Sequence, residues 1–216
     1  LTFPYRYGVD FVAALGQDGG KARAFAGLFK NPPRTTRQIM EPKTYLSGER
    51  IDPLPMPNLR KIFKDYERFD VGAMGEFDVS MLIDQYAGTE VSHSLYPHWR
   101  GGYYYAARPK GDANAPLGLL YVSRWSTAEK AAQFAVIYAN SLAKRYRDVQ
   151  FVAGGKSVPV PGKPMAWTGT RQWQTEEGTV TIEVEGDEVL VTESLDNDTT
   201  TRLAHDVFPA NVLAAK

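Results

Sequence analysis

GGYYYAARPKGDANAPLGLLYVSRWSTAEKAAQFAVIYANSL, residues Gly101–Leu142, places two kinds of periodicity side by side. The aromatic and β-branched runs Gly101–Pro109 and Leu117–Trp125 flank a loop rich in Gly, Asp, Asn and Pro, and they read as a β-hairpin. Directly after them, Ser126-Thr127-Ala128-Glu129 has the pattern of a capping box, with Ser126 at the cap and Glu129 at the reciprocal position. The helix it opens is expected to run to about Arg147, with Ala132, Phe134, Ile137, Tyr138 and Leu142 turned inward. A hairpin feeding a long amphipathic helix predicts an α+β fold, a mainly antiparallel sheet with one long packed helix.

Downstream, Val149–Ala153, Ala166–Gln174, Thr179–Glu185 and Glu188–Glu193 read as strands, the last two joined by a tight turn at Gly186-Asp187. Thr200–Val207 reads as a closing helix. Upstream, the chain reads as helical. Tyr5–Leu15 places Tyr7, Phe11, Val12 and Leu15 on one stripe, and Gly16 is expected to end it. Lys21–Phe29 repeats the stripe with Ala22, Phe25, Ala26 and Phe29. A further helix is expected around Met74–Tyr86. Between them lies the connector NPPRTTRQIMEPKTYL (Asn31–Leu46). Pro32 and Pro33 force an extended entry, Thr35 or Thr36 caps a short turn over Gln38–Met40, and Pro42 is expected to stop it. DPLPMPNL, with prolines at 53, 55 and 57, must be extended. The expected organisation is one α+β domain over residues 1–216, with residues 1–95 mainly helical and 96–216 sheet-rich.

Composition narrows the function classes. Of 216 residues, 43% are hydrophobic and 23% charged, an ordinary globular balance. The 25 basic and 25 acidic side chains cancel, which argues against a nucleic-acid surface. No apolar run approaches the ~18–20 residues of a membrane span. With no cysteine there are no disulfides, thiol nucleophiles or thiolate metal sites. A chain opening on Leu1 reads as a processed form or a fragment.

The chemistry-bearing residues form no self-contained catalytic set. His93 and His98 are separated by Pro97 and share no helix face, so a site completed by Glu90 or Glu76 lacks the usual spacing, and no H-E-x-x-H occurs. There is no G-x-S-x-G. Glu76 opens a helix, where the dipole stabilises an acidic side chain, and it pairs in sequence with Asp78 or Asp84. YPHWRGGYYY (Tyr96–Tyr105) concentrates aromatics. From it Trp99, Arg100, Tyr103 and Tyr104, with Glu76, are the candidate binding residues for a peptide or sugar, against the plainer reading of a hairpin packing its aromatics on the core. No metal ligands and no catalytic residues are assigned.

Several segments together resemble the downstream part of a zincin-like, metallopeptidase-related family of exported or surface proteins. They are FPYRYGVDFVAAL (Phe3–Leu15), the Asn31–Leu46 connector, MGEF (Met74–Phe77), WRGGYYYAA (Trp99–Ala107) and SRWSTAEKAAQFAVIYANSL (Ser123–Leu142). The family's patterns are an FPYxxGxxFV helix, a PPxSTEQILHPEKY connector, a GWGGDRY-like strand and a TxxDAxEFxxAY helix. Glu41 stands where that pattern has histidine, and Tyr103-Tyr104 stand where it has Asp-Arg. In the family the H-E-x-x-H helix precedes the FPY segment. The resemblance therefore implies a fragment of a longer protein, with no cofactor in this chain and zinc, where present, held by an upstream segment. It implies a non-catalytic C-terminal portion that helps form a substrate or partner cleft, and leaves enzymatic activity open. The partner would be the upstream fragment of the same precursor or a peptide, and the location secreted, periplasmic or cell-surface. The alternative is an exported peptide- or glycan-binding module that uses the aromatic hairpin.

Overall fold

The computed structural model describes residues 3–155 and 167–208. The chain opens with α1 (Phe3–Lys21), a π-helical turn at Ala22–Gly27 and α2 (Leu28–Lys30), followed by the short helices α3 (Thr36–Met40), α4 (Pro42–Leu46) and α5 (Leu59–Ile62). Strand β1 (Tyr66–Ala73) leads to α6 (Glu76–Ala87), α7 (Thr89–Leu95) and a 3-10 turn at Tyr96–His98. Then come β2 (Trp99–Pro109), β3 (Gly118–Trp125), α8 (Ala128–Arg145), β4 (Val149–Ala153), β5 (Gly169–Thr175), β6 (Gly178–Glu185), β7 (Glu188–Glu193) and α9 (Asn197–Val207).

The expected α+β class holds. Among the described residues, all seven strands pair antiparallel in the order β1-β2-β3-β7-β6-β5-β4. Helix α8 carries the chain from β3 over the sheet to the far edge strand β4, and β5, β6 and β7 meander back until β7 pairs with β3. The β6–β7 turn is tight because Gly186 takes φ 56°, a left-handed conformation that costs a glycine little.

Strand alternation sends successive side chains to opposite faces, and each face is covered differently. On one, Tyr121 and Trp125 of β3 and Val189 and Val191 of β7 pack against Phe134, Tyr138 and Leu142 of α8 and Val79 and Ile83 of α6. The Trp125 and Phe134 rings stack at 4.7 Å. On the other, Tyr103, Tyr105, Leu120, Val122 and Leu190 meet Leu59 and Ile62 of α5 and Leu203 and Val207 of α9. A third, small cluster of Phe11, Leu15 and Ala24 holds the N-terminal helices together. No helix among the described residues is long and apolar enough to cross a membrane.

Several local expectations need correction. The part read as helical contributes β1, so the sheet does not begin at residue 96. Gly16 stays inside α1; the backbone leaves helical geometry at Gly19 and Gly20, the latter at φ 64°. Phe25 and Phe29 are exposed, because the π turn has a wider period and rotates the stripe away from the core. Pro42 starts a helix rather than stopping one: α3 is capped by Thr35, and Pro42 occupies the first position of α4, where its missing N–H costs nothing. Thr127, not Ser126, caps α8, accepting from the Lys130 backbone N–H. Strand β5 starts at Gly169; Ala166, where it was expected to begin, lies outside the described residues.

Candidate functional site

The strand period divides the expected aromatic groove. Trp99 is buried in the core beneath α8, and Tyr103 is buried on the opposite face against α5 and α9. Neither lies on a surface groove, which corrects that part of the expectation. Arg100 and Glu76 come together in a buried polar cluster, and Tyr104 is left in an open cleft. The five candidates thus belong to different surroundings.

The polar cluster explains the proline connector. Helix α3 turns Arg37 inward, where its Nη1 donates to Glu76 Oε2 at 2.7 Å and to the Pro97 carbonyl at 2.8 Å, and its Nε donates to Glu49 Oε1 at 2.8 Å. One residue earlier, the Thr36 hydroxyl accepts from the Phe77 backbone N–H at 3.2 Å, satisfying a donor at the start of α6. Arg100 Nη1 donates to the carbonyls of Pro97 and Trp99 at 2.9 and 2.7 Å. Glu76 is fully buried, and its Oε1 has no hydrogen-bond partner among the described residues. Burial pushes the Glu76 carboxyl up to about 7; Arg37 pulls the other way without prevailing, and Glu41 adds to the rise. Glu49, bonded to the same guanidinium and more exposed, is held below its ordinary value by Arg37.

The cleft lies between α6, α8 and the β1–β3 end of the sheet and encloses about 600 Å³. Ala73, Met74, Met81, Leu82 and Tyr86 form one wall, Tyr104, Leu119 and Tyr121 the floor, and Tyr138 and Arg145 the far side, with Asp78 and Gln85 at the opening. The ring of Tyr104 lies over Gly72: a Cβ there would stand 2.9 Å from the Tyr104 Cε1 and hydroxyl oxygen. Its hydroxyl donates to Asp70 Oδ2 at 2.6 Å, which raises the phenol's pKa and lowers that of Asp70. Tyr121 is 1% exposed. Its hydroxyl makes no hydrogen bond of normal geometry among the described residues, Ser123 being the polar neighbour on its strand.

The cation on the far side is already engaged. Arg145 donates to both oxygens of Glu193, at 2.8 and 2.5 Å, and lies against the rings of Tyr138 and Tyr146. The Tyr138 and Tyr146 hydroxyls donate to the same carboxylate, each at 2.7 Å. Burial foremost, and then Glu193, raise both phenols, so both stay protonated as donors.

Of the histidines considered as ligands, His98 Nδ1 is 2.8 Å from Ser126 Oγ, and His93 packs edge-on to Tyr96. No group of three His, Asp or Glu side chains among the described residues converges as a metal site. The sequence reading missed Arg37, Arg145 and Glu193. The readable signal for Glu193 was its phase: it falls on the same strand face as Val189 and Val191, and a charge on an apolar face calls for a buried partner.

The fold and site define an α+β module with an open aromatic cleft lined in part by Arg145 of one buried ion pair, and with a second buried pair at the start of α6. The family described as Domain of unknown function (DUF8575) matches residues 64–204, and the chain belongs to it. That match spans every cleft residue and leaves Arg37 outside. The chain matches no curated protein. Among solved structures, it is similar to the extracellular domain of PknH from Mycobacterium tuberculosis, at 12% identity and a TM-score of 0.37, over 76% of this chain and 94% of that one.

Proposed function

We propose that this chain is a non-catalytic binding module, displayed outside the cytoplasm, that takes a ligand or partner segment in the cleft between α6, α8 and β1–β3. The observation that carries the reading is the cleft itself. A volume of about 600 Å³, walled by methionine, leucine and tyrosine with a few polar groups at its opening, has the size and lining of a small-molecule or side-chain pocket. Tyr104 supplies an aromatic surface held by Asp70. The role agrees with what the zincin-like resemblance implies, a wall of a substrate or partner cleft, with any hydrolytic zinc supplied by an upstream segment.

The test is a pair of arrays, extended peptides and oligosaccharides, probed with the native chain and with Ala73→Trp, which plugs the cleft from an exposed position. The reading expects hits on one array that the plugged variant loses while its melting temperature is kept. Hits that survive the plug would relocate the binding surface. Cleavage of array peptides by the chain alone would overturn the non-catalytic part.

A further inference from the structure

The charges around the cleft point to a narrower ligand class. We infer that the cleft accepts an organic cation, an alkylammonium group carried on an apolar body; the inference rests on the binding reading above. Arg145 is spoken for by Glu193, which returns its charge in two bonds. Asp78, which lines the cleft, accepts from the Gly75 backbone N–H and has no cation bonded to it; Asp70, outside the lining and with Arg68 as its charged neighbour, accepts from Tyr104 and the Val71 backbone N–H. Asp78 is therefore the uncompensated charge among the described lining residues, set beside the aromatic surface of Tyr104 and Tyr121. An ammonium group over the face of Tyr104 gains from the ring's quadrupole and from the Asp78 carboxylate together, while Met74, Met81 and Leu82 receive the carbon skeleton. An anion finds no unpaired cation among the described cleft residues and meets the Asp78 carboxylate instead.

Three probes of nearly one shape separate the possibilities. Phenyltrimethylammonium, its uncharged isostere tert-butylbenzene and the anionic benzenesulfonate would be titrated into the native chain, with methionine-methyl and tyrosine resonances as the readout. The cation is expected to bind at least tenfold more tightly than the isostere, shifting the Met74, Met81 and Tyr104 signals, while the sulfonate leaves them unmoved. Asp78→Asn keeps an acceptor for the Gly75 N–H and is expected to weaken the cation at least fivefold without changing the isostere. A capped Gly-Lys-Gly tripeptide run alongside distinguishes sources: if it also binds, the group is a peptide side chain; if it does not, a free amine. Equal binding of the cation and the isostere overturns the charge inference and leaves the cleft as an apolar binding site. Binding by none of the probes, with no shift at any cleft resonance, overturns both.

Discussion

Glu193 and Glu76 are both carboxylates taken out of water beside an arginine, yet their surroundings differ in the number of donors. Glu193, 4% exposed at the end of β7, accepts four hydrogen bonds, two from Arg145 and one each from Tyr138 and Tyr146. Glu76, fully buried at the first position of α6, accepts from Arg37 at one oxygen, and the other has no partner among the described residues. Desolvating a carboxylate costs several kcal/mol, which attraction to one cation repays only when the remaining lone pairs are also met. The first pair meets that condition and clamps α8 to β7. The second does not, and burial wins: the carboxyl rises to about 7. Donor count, more than burial, thus distinguishes the two carboxylates.

The largest expected effect breaks the satisfied pair. Arg145→Met leaves Glu193 with two phenolic donors and no cation, and removing one partner of a buried pair typically costs ~3–5 kcal/mol. For a chain of this size that is a fall of about 10 °C in melting temperature, read by calorimetry. A loss under ~1 kcal/mol would show the clamp to be ornamental.

Next comes the frustrated pair. The folded carboxyl of Glu76 titrates at about 7 against an ordinary 4.5, so between those values the folded state holds the proton more firmly than the unfolded one. Stability is accordingly free of this cost below about 4.5, declines as pH rises through the window, and carries the full cost above 7, about 3 kcal/mol by linkage. Glu49 has the opposite shift and acts below its ordinary range, so the clean measurement is a difference. Glu76→Gln mimics the protonated form. It should match the native chain at about pH 4 and gain on it by up to ~3 kcal/mol at about pH 8.5 in denaturant unfolding. Parallel pH profiles for the two proteins would refute the assignment.

The same contrast separates what could be read in the sequence from what could not. Strand β7 was legible to the residue, because Glu188–Glu193 alternates cleanly beside a Gly-Asp turn, and so was the span of β4. The body of α8 was legible from its apolar face. Strand β1 was not. YERFDVGA is an edge strand, exposed along most of its length and bulged between Arg68 and Asp70, so it shows no alternation to read. For the site, Glu76 and Arg100 stood among the expected binding residues, but the Arg37 that bonds Glu76 lies far back in the chain. Nothing local marks Arg37 as inward-facing; five-residue α3 is too short to carry a stripe. Tyr103 and Tyr104 could not be told apart until the register fixed which face each takes.

The smallest expected effect concerns Gly72, which links the unread strand to the cleft. Its conformation does not demand glycine, and alanine is the better strand residue by ~0.5–1 kcal/mol. Yet a Cβ would stand 2.9 Å from the Tyr104 ring and hydroxyl, so in Gly72→Ala the ring must lift and its bond to Asp70 must lengthen or break. Losing that exposed bond offsets the gain, which leaves the net change in stability small. The phenol itself is the sensitive reporter. With Asp70 accepting its proton, Tyr104 titrates above its ordinary value of 10.0, and freed from Asp70 it should return toward that value. Carbon-13 labelled tyrosine followed by NMR against pH reads the change directly, and Asp70→Asn gives the same downward shift without moving the ring. If the Tyr104 titration is unaltered in Gly72→Ala, the ring does not rest on the bare backbone of β1, and the aromatic floor must be held by its α6 neighbours instead.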